Sequence, residues 1–304
     1  MVIIDEASQL VDAMVAGLFS LDAPFVMIGD HRQLPPIVQR PRRIAGEAGT
    51  NTTEDEPVVS TFERMIDACR REGWDHAHGM LVEQHRMHEE IQAFPSMNAY
   101  NGRLSCGSER QRRQGSPWAG KPGLPSAITD RRVCFVDVGA DAGDPARVNR
   151  REAVLAAELA ARFVRTADQV DEAHVGAGGT CVGIVAPFRV QCAAIRNELH
   201  RLGLADAVHV DTVERFQGSE RPVMIVSMTA RNQQELARTE SLALDGLVDR
   251  KLNVAITRAR EHLIVLGDRG VLGMGIKTAE YLSFLEISEQ VVPANIVRAQ
   301  LGLD

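Results

Sequence analysis

The sequence predicts an α/β protein built on a parallel sheet with flanking helices, and three observations carry that expectation. Short runs of aliphatic residues alternate with longer amphipathic stretches, as strand–helix–strand crossovers require. Several runs are almost continuously apolar, such as CVGIVA at 181–186 and HLIVLG at 262–267. That is the composition of strands covered on both faces. Acids also follow two of the runs directly, at Asp5-Glu6 and at Asp30, the edge at which parallel sheets carry chemistry.

In chain order the expected strands are 2–4, 24–29, 80–83, 133–138, 181–186, 207–211, 222–229 and 262–267. The expected helices are 9–19, 59–72, 88–98, 149–166, 189–202 and 250–258. Two polar stretches read as loops. Residues 39–57 mix Pro, Gly, Thr and acids, and residues 105–131 contain the basic run Arg110-Gln111-Arg112-Arg113. That run reads either as a solvated loop or as a nucleic-acid patch. Residues 269–304 carry no motif, and a helix packed on the preceding domain is the default there.

The bulk composition is globular: 304 residues, 44% hydrophobic and 25% charged, enough for one large or two ordinary domains. The net charge of −7 argues against a protein that coats nucleic acid generally, while leaving room for a locally basic groove. Lysine occurs only at 121, 251 and 277, so most positive charge is arginine. The cysteines at 69, 106, 134, 181 and 192 form no CxxC pair, which favours buried thiols over disulfides or zinc. With no long apolar run, a soluble cytoplasmic protein without a membrane segment is expected, most simply a monomer.

Five segments carry candidate chemistry. Asp5 and Glu6 follow the first strand, where one carboxylate can order Mg²⁺ and the other polarise a water for attack on a phosphoryl group. In IGDHRQLPPIV (28–38), Pro35 and Pro36 stiffen a loop from which Gln33 could report a γ-phosphate; a plain proline-rich turn would read the same way. In LVEQHRMHEEI (81–91), Gln84, His85, Arg86 and His88 stand at a helix start. Arg86 offers a planar fork to phosphate oxygens, and a zinc site on His85 and His88 is the weaker alternative. In VDTVERFQGSERPVMIVSM (210–228), the Thr212 hydroxyl and the open backbone of Gly218 suit a sugar–phosphate contact. In DRKLNVAITRAREHLIVLGD (249–268), Asn253, Thr257, Arg258 and Arg260 are placed on one amphipathic helix, with Arg258 as the natural arginine finger; ordinary surface arginines on a helix would read the same way, and for this segment alone are the simpler reading.

Together these segments resemble the superfamily 1B helicases, the group typified by the nonsense-mediated-decay helicase and its bacterial relatives. The resemblance runs from residue 2 to about 268. DEASQ is similar to motif II, GDHRQLPP to motif III, QHRMH to motif IV, VAPFRVQ (185–191) to motif IVa, TVERFQGSE to motif V and LNVAITRAR to motif VI. The resemblance implies two RecA-like domains of the P-loop NTPase fold, with ATP in the cleft between them and a single strand of DNA or RNA across both. It implies that Asp5 serves Mg²⁺, Glu6 is the catalytic base, Gln33 senses the γ-phosphate, and Arg86 and Arg258 are arginine fingers. Gln84, His85, Gly218 and Glu220 would contact the nucleotide, and Thr212 and Pro187 the nucleic acid. Two positions depart from the pattern. His85 stands where the family often has an adenine-stacking tyrosine, and Pro222 where an aspartate is common.

No Walker A loop, G-x-x-x-x-G-K-[ST], occurs in the sequence. GEAGTNTT (46–53) lacks the lysine, and GMGIKT (273–278) has Ile276 in place of the second glycine. Residues 1–78 are therefore expected to be the tail of a first RecA-like domain, and 79–304 a full second one. The chain would then be a fragment, a sequence started at an internal methionine, or a truncated remnant. The resemblance implies an ATP-driven helicase or translocase. The alternative is a binding or regulatory module that kept the fold without hydrolysis.

Overall fold

The computed structural model describes residues 1–36, 59–141, 143–170 and 180–303, and the statements below concern those residues. They divide into two compact units, Met1–Leu81 with Leu242–Arg250, and Val82–Ser241 with Lys251–Asp304. The second unit thus lends nine residues of its chain to the first. The expected loop at 39–57, the sequence GEAGTNTT and the last two residues of IGDHRQLPPIV lie outside the described residues.

The first unit holds strands β1 (Val2–Ile4) and β2 (Phe25–Met27), paired in parallel with Val2 opposite Phe25. A 3-10 turn at Ala7–Gln9 and a helix at Asp12–Phe19 connect them. A second helix, Thr61–Glu72, starts at Ser60, whose Oγ accepts from the Glu63 N–H at 3.1 Å. It ends at Gly73 in the left-handed conformation (φ 67°), the ordinary start and stop chemistry of a helix. Its Phe62 packs on Ile4 and Ala7 to form a small core. On the strands themselves Ile3, Phe25 and Val26 remain exposed. The lent segment is closed on itself by an antiparallel bridge between Leu242 and Asp249, and tied in by two ion pairs, Arg32–Asp245 and Arg250–Glu63 (2.6 and 2.7 Å).

The second unit is a six-stranded sheet, parallel throughout. Its strands are β5 (Val133–Asp137), β6 (Val182–Ala186), β7 (Val208–Thr212), β8 (Arg221–Ser227), β9 (Ala259–Gly267) and β10 (Val291–Pro293), in the order β10-β5-β9-β8-β6-β7. β6 and β8 are apolar and buried almost end to end because helices cover both faces. The long helix Arg150–Thr166 buries Ala156, Leu159 and Phe163 on one stripe. These residues join Ile184, Ile225 and Ile264 of the sheet in one core.

The expected strands and helices of this unit are present within a few residues, with four differences. The strand expected at 80–83 is a two-residue ladder, β3 (Glu83–Gln84), paired with β4 (Ser105–Cys106), and Leu81 is 87% exposed. The run Met80–Val82 is apolar, but only Val82 reaches a ladder, its carbonyl accepting the Ser105 N–H of β4 at 2.8 Å. Of the four residues expected on one helix only Asn253 is on it: Thr257 and Arg258 fall in the turn that follows and Arg260 lies in β9, because the helix, Arg250–Ile256, stops early. The register of β8 on β9 slips between Arg221 and Val223, at Pro222, which has no N–H to give to the ladder. The carboxyl-terminal stretch holds two helices, Ile276–Ile287 and Ala294–Leu301, with the edge strand β10 between them.

The contrast in core size sets a first expectation. Among the described residues, the cluster around Phe62 in the first unit holds three buried apolar side chains and the strand faces are left open, whereas the second unit has a continuous core through its sheet. Local opening is easier where few apolar contacts must break. Limited proteolysis is expected to remove residues before about 82 first and leave a resistant core that includes β5 to β10. Early loss of the second unit with survival of the first would contradict this.

Candidate functional site

The acids of the first unit sit where the strand pairing puts them. β1 ends at Ile4, whose carbonyl accepts from the Ile28 N–H (2.8 Å), and the Ile28 carbonyl accepts from Ala7 (2.8 Å). Asp5-Glu6 and the loop that begins at Ile28 therefore leave the same carboxyl edge of adjacent parallel strands. Gly29 is required there: a Cβ on it would lie 2.8 Å from the Ser8 backbone nitrogen. The Ser8 hydroxyl accepts from Asp30 N–H at 3.3 Å and Asp30 in turn organises its loop. Its carboxylate accepts from Arg32 N–H (2.9 Å) and from the Gln33 amide (2.8 Å). Asp5 and Glu6 are exposed, with Asp5 Oδ1 accepting from Glu6 N–H and Glu6 Oε2 from the Gln9 amide, both at 2.9 Å. Glu6 adopts a left-handed φ of 51°, an uncommon conformation for a non-glycine residue. It turns the chain sharply as it leaves the sheet.

In the second unit the segment Gln84–His88 forms a tight turn between β3 and the helix Glu89–Ala99. Gln84 builds the turn. Its Oε1 accepts from the Arg86 and Met87 N–H groups (both 2.8 Å), and its amide donates to the Met87 carbonyl (2.8 Å) and Gln92 Oε1 (2.6 Å). An amide occupied in this way shapes the backbone. His88 is fully buried, donates Nε2–H to the Arg113 carbonyl (2.9 Å) and accepts the Glu90 N–H at Nδ1 (3.2 Å), which fixes its tautomer. His85 is exposed beside Glu83 and packs its ring on Gly107, where a Cβ would overlap it. The two imidazoles do not share a metal, and among the described residues no group of three or more potential ligands exists.

The run Arg110–Arg113, which reads as a possible nucleic-acid patch, turns inward and grips this turn. Arg110 donates to the His85 and Arg86 carbonyls (both 3.1 Å) and pairs with Glu261. The Gln111 amide donates to the carbonyls of Gln84 (3.0 Å) and Met87 (2.8 Å), and Arg112 donates to the Cys106 carbonyl. Glu261, fully buried on β9, also binds Arg132 at 2.8 Å. Burial pulls the Arg132 guanidinium down to about 10, still protonated at neutral pH.

Arg86 and Arg258 share a bonding partner, Thr257. Arg86 Nε donates to Glu220 Oε2 at 2.6 Å and its Nη1 approaches the Thr257 carbonyl at 3.5 Å. Arg258, buried, donates to the Val254 carbonyl and to Thr257 Oγ1, each at 3.1 Å. Glu220 also faces Arg260 at 3.7 Å. Nearby, Gly218 turns the chain with a φ of 79° and is exposed. Thr212 is buried at the end of β7, at the carboxyl edge.

On the same edge, after β6, a cavity of about 550 Å³ is lined by Pro187, Phe188, Arg189, Arg147 and Arg238. The Arg147 guanidinium lies over the Phe188 ring, 5.5 Å from its centroid. Cations around an aromatic face suit a nucleic-acid backbone with a base beside it. Of these, only Pro187 was expected from sequence; Arg147 and Arg238 lie outside every motif.

A six-stranded parallel sheet with helices on both faces, carrying its polar residues on the carboxyl edge, fits the RecA-like α/β fold of the P-loop NTPases. A family model described as AAA domain matches residues 58–270, and a second of the same description matches residues 1–41. The chain belongs to this AAA domain family and, with its relatives, to the helicases of superfamily 1B. Among those relatives, the DNA replication ATP-dependent helicase/nuclease DNA2 of Xenopus laevis is 31% identical over 87% of this chain and 24% of its own length. The 3'-5' exoribonuclease HELZ2 of Mus musculus is 28% identical over 90% of this chain and 9% of its own. The chain thus spans about a quarter of the DNA2 relative and less of HELZ2. Among solved structures, the PRRSV helicase is similar over 88% of this chain and 34% of that one, at 15% identity and a TM-score of 0.40. Among the described residues no helix is long and apolar enough to cross a membrane.

Proposed function

We propose that this chain is the part of an ATP-dependent, single-strand-tracking helicase or translocase that runs from the metal-binding carboxylates to the arginine fingers. The observation that carries the reading is that Arg86, paired with Glu220, and Arg258 both bond to Thr257. Two guanidinium groups bonded to one residue are suited to charge that develops on a transferring phosphoryl group, and a pure binding module has no need of them. The DNA2 relatives, named as ATP-dependent helicase/nucleases, support the same reading.

The family's ATP use, ordinarily with Mg²⁺, would supply the phosphoryl-transfer energy. The donor set fits: Asp5 is an exposed carboxylate on a sheet edge, and Mg²⁺ is commonly held by one or two carboxylates together with substrate phosphates. Asp5 would hold the metal, and Glu6 would accept the proton of the attacking water. Gln33, already fixed by Asp30, would sense the γ-phosphate. Arg86 would exchange its Glu220 partner for phosphate oxygens, and Arg258 would support it. His85, resting on Gly107, would offer its ring to the base. Thr212, Pro187 and the arginine-lined cavity would track the single strand. The two units would correspond to the tail of a first RecA-like domain and a second one.

The runner-up, a nucleic-acid-binding module without hydrolysis, is favoured by the lack of a Walker A loop in these 304 residues. A nucleotide titration separates the two. The chain is expected to bind Mg·ATP weakly, more weakly still as Arg86→Ala, and to show no measurable steady hydrolysis, since positioning is much of phosphoryl-transfer catalysis. Single-strand binding with no nucleotide binding at all would favour the runner-up. Strand-stimulated turnover abolished by Glu6→Gln would mean that these residues suffice for catalysis.

A further inference from the structure

One buried group remains unused by the reading above. Glu152 is fully buried near the start of the helix Arg150–Thr166, on the same stripe as Ala156, Leu159 and Phe163. Its carboxyl is satisfied by three neutral donors. Asn149 Nδ2 donates to Oε1 at 2.9 Å, while Ser227 Oγ (2.6 Å) and the Thr229 N–H (2.9 Å) donate to Oε2. Gln191 closes the network. Its amide donates to the Asn149 carbonyl (2.9 Å) and Ser227 Oγ (3.0 Å), and its Oε1 accepts the Asn149 N–H (2.9 Å).

These partners come from the three segments that wall the arginine-lined cavity. Asn149 lies two residues after Arg147. Gln191 lies two residues after Arg189 and three after Phe188. Thr229 leads through Ala230 into the segment that closes at Arg238, and Glu235 of that segment accepts the Arg147 N–H at 3.1 Å. Two non-glycine residues in these walls are held in the left-handed region, Arg147 (φ 61°) and Thr229 (φ 65°). A β-branched residue adopts that conformation only when its surroundings over-determine it, and here the Thr229 N–H is fastened to Glu152.

We propose that Glu152 is the positioning residue of this cavity: its carboxyl joins the Asn149 and Ser227–Thr229 segments directly, Gln191 ties the third segment to Asn149 and Ser227, and the network so sets the spacing of Arg147, Phe188, Arg189 and Arg238 for one phosphate and its neighbouring base of a single strand. The inference rests on the single-strand reading above. A packing role alone would be met as well by an apolar side chain on the same stripe. What the carboxyl adds to the links made by Gln191 and Glu235 is a direct tie between the Asn149 and Thr229 segments, which is how a supporting residue pre-organises a binding site.

The test measures binding of a labelled oligothymidylate of roughly a dozen nucleotides, and of the matching oligouridylate, by fluorescence polarisation over a range of salt. Arg147→Ala and Arg238→Ala are each expected to weaken binding and to lower the salt slope by about one. Glu152→Ala should weaken binding roughly tenfold while leaving the salt slope as in the parent chain, because no phosphate contact is lost. Glu152→Gln, which keeps an acceptor for Thr229, should recover most of the affinity. The decisive readout is non-additivity: in the Arg147→Ala/Arg238→Ala background, Glu152→Ala should cause little further loss. If Glu152→Ala does not fold, Ser227→Ala, which removes one donor from the carboxyl, takes its place with a smaller expected loss. Unchanged affinity in a variant that still unfolds cooperatively, or fully additive losses, would overturn the positioning role while leaving single-strand binding intact. A parent chain that binds neither oligonucleotide overturns the single-strand reading, and the inference with it.

Discussion

Glu261→Ala is expected to destabilise the second unit by about 3–5 kcal/mol, the cost of breaking a buried ion pair by removing one partner. Glu261 is fully buried on β9 between Arg132, whose side chain is 2% exposed, and Arg110. Its removal leaves the Arg132 charge in the interior, with the carbonyls of Arg113, Gly115 and residue 261 to accept from it and the half-exposed Glu90 as the nearby acid. The same change releases Arg110, which holds the His85 and Arg86 carbonyls. Urea denaturation followed by circular dichroism would measure the first effect, and faster amide exchange at residues 85–88 would report the second. Glu261→Gln, which retains acceptors and donors of similar size, should cost less. A loss under about 1 kcal/mol for Glu261→Ala would mean that the pair is solvated and does not organise the turn.

The second large effect is a pH dependence centred on Glu152. Burial pushes its carboxyl up to about 8, against the hydrogen bonds of Ser227, Thr229 and Asn149, which pull it down. The folded state therefore keeps a proton that the unfolded chain releases near 4.5. The stabilisation tied to that proton is complete below about 4.5 and is lost as pH rises through about 8. Glu152→Gln cannot ionise. Its melting temperature should fall less than that of the parent between pH 5 and pH 8.5, by an amount on the order of a few kcal/mol in stability. His262 works in the opposite sense. It is fully buried, and burial pulls it down to about 3, so stability present above its unfolded value near 6.5 is lost as pH falls toward 3. Parallel melting curves for the parent and Glu152→Gln would contradict the carboxyl assignment.

Much of the fold was legible because burial on both faces leaves a plain signature. CVGIVA, PVMIVSM and HLIVLG became β6, β8 and the later part of β9. What could not be read depended on partners distant in sequence. β10 is three residues long and gains its identity only by lying along β5. The RQRR run looked like a solvated basic loop because its partners, Glu261 and the carbonyls of the Gln84–Met87 turn, lie up to about 150 residues away in the chain. Glu261 was not visible, because the expected strand began at 262 while β9 begins at Ala259. Glu152 was visible, since it shares the helical stripe of Ala156, Leu159 and Phe163. An acid on an apolar stripe is the signal that would have singled it out.

The motifs were legible as local patterns, and the structure puts two of them to a different use. Gln84 was expected at the nucleotide, yet both ends of its amide are engaged in building the turn that presents Arg86. Arg260 was expected on a helix beside Arg258, and stands on β9 facing Glu220. Spacing identified the segments, but which side chain points outward depended on where the helix stopped, and that was set by packing.

The measurement that tests the central claim most directly is a paired titration of the parent chain with a single-stranded oligonucleotide and with Mg·ATP, each in the absence and presence of the other. A nucleotide-coupled single-strand enzyme must show a coupling between the two ligands that is reciprocal by thermodynamic necessity. The account predicts that both bind, that Mg·ATP changes the strand affinity several-fold, that the strand changes the Mg·ATP affinity by the same factor, and that Arg86→Ala abolishes the coupling. Two ligands that bind with no effect on each other, or a chain that binds only one of them, would contradict it.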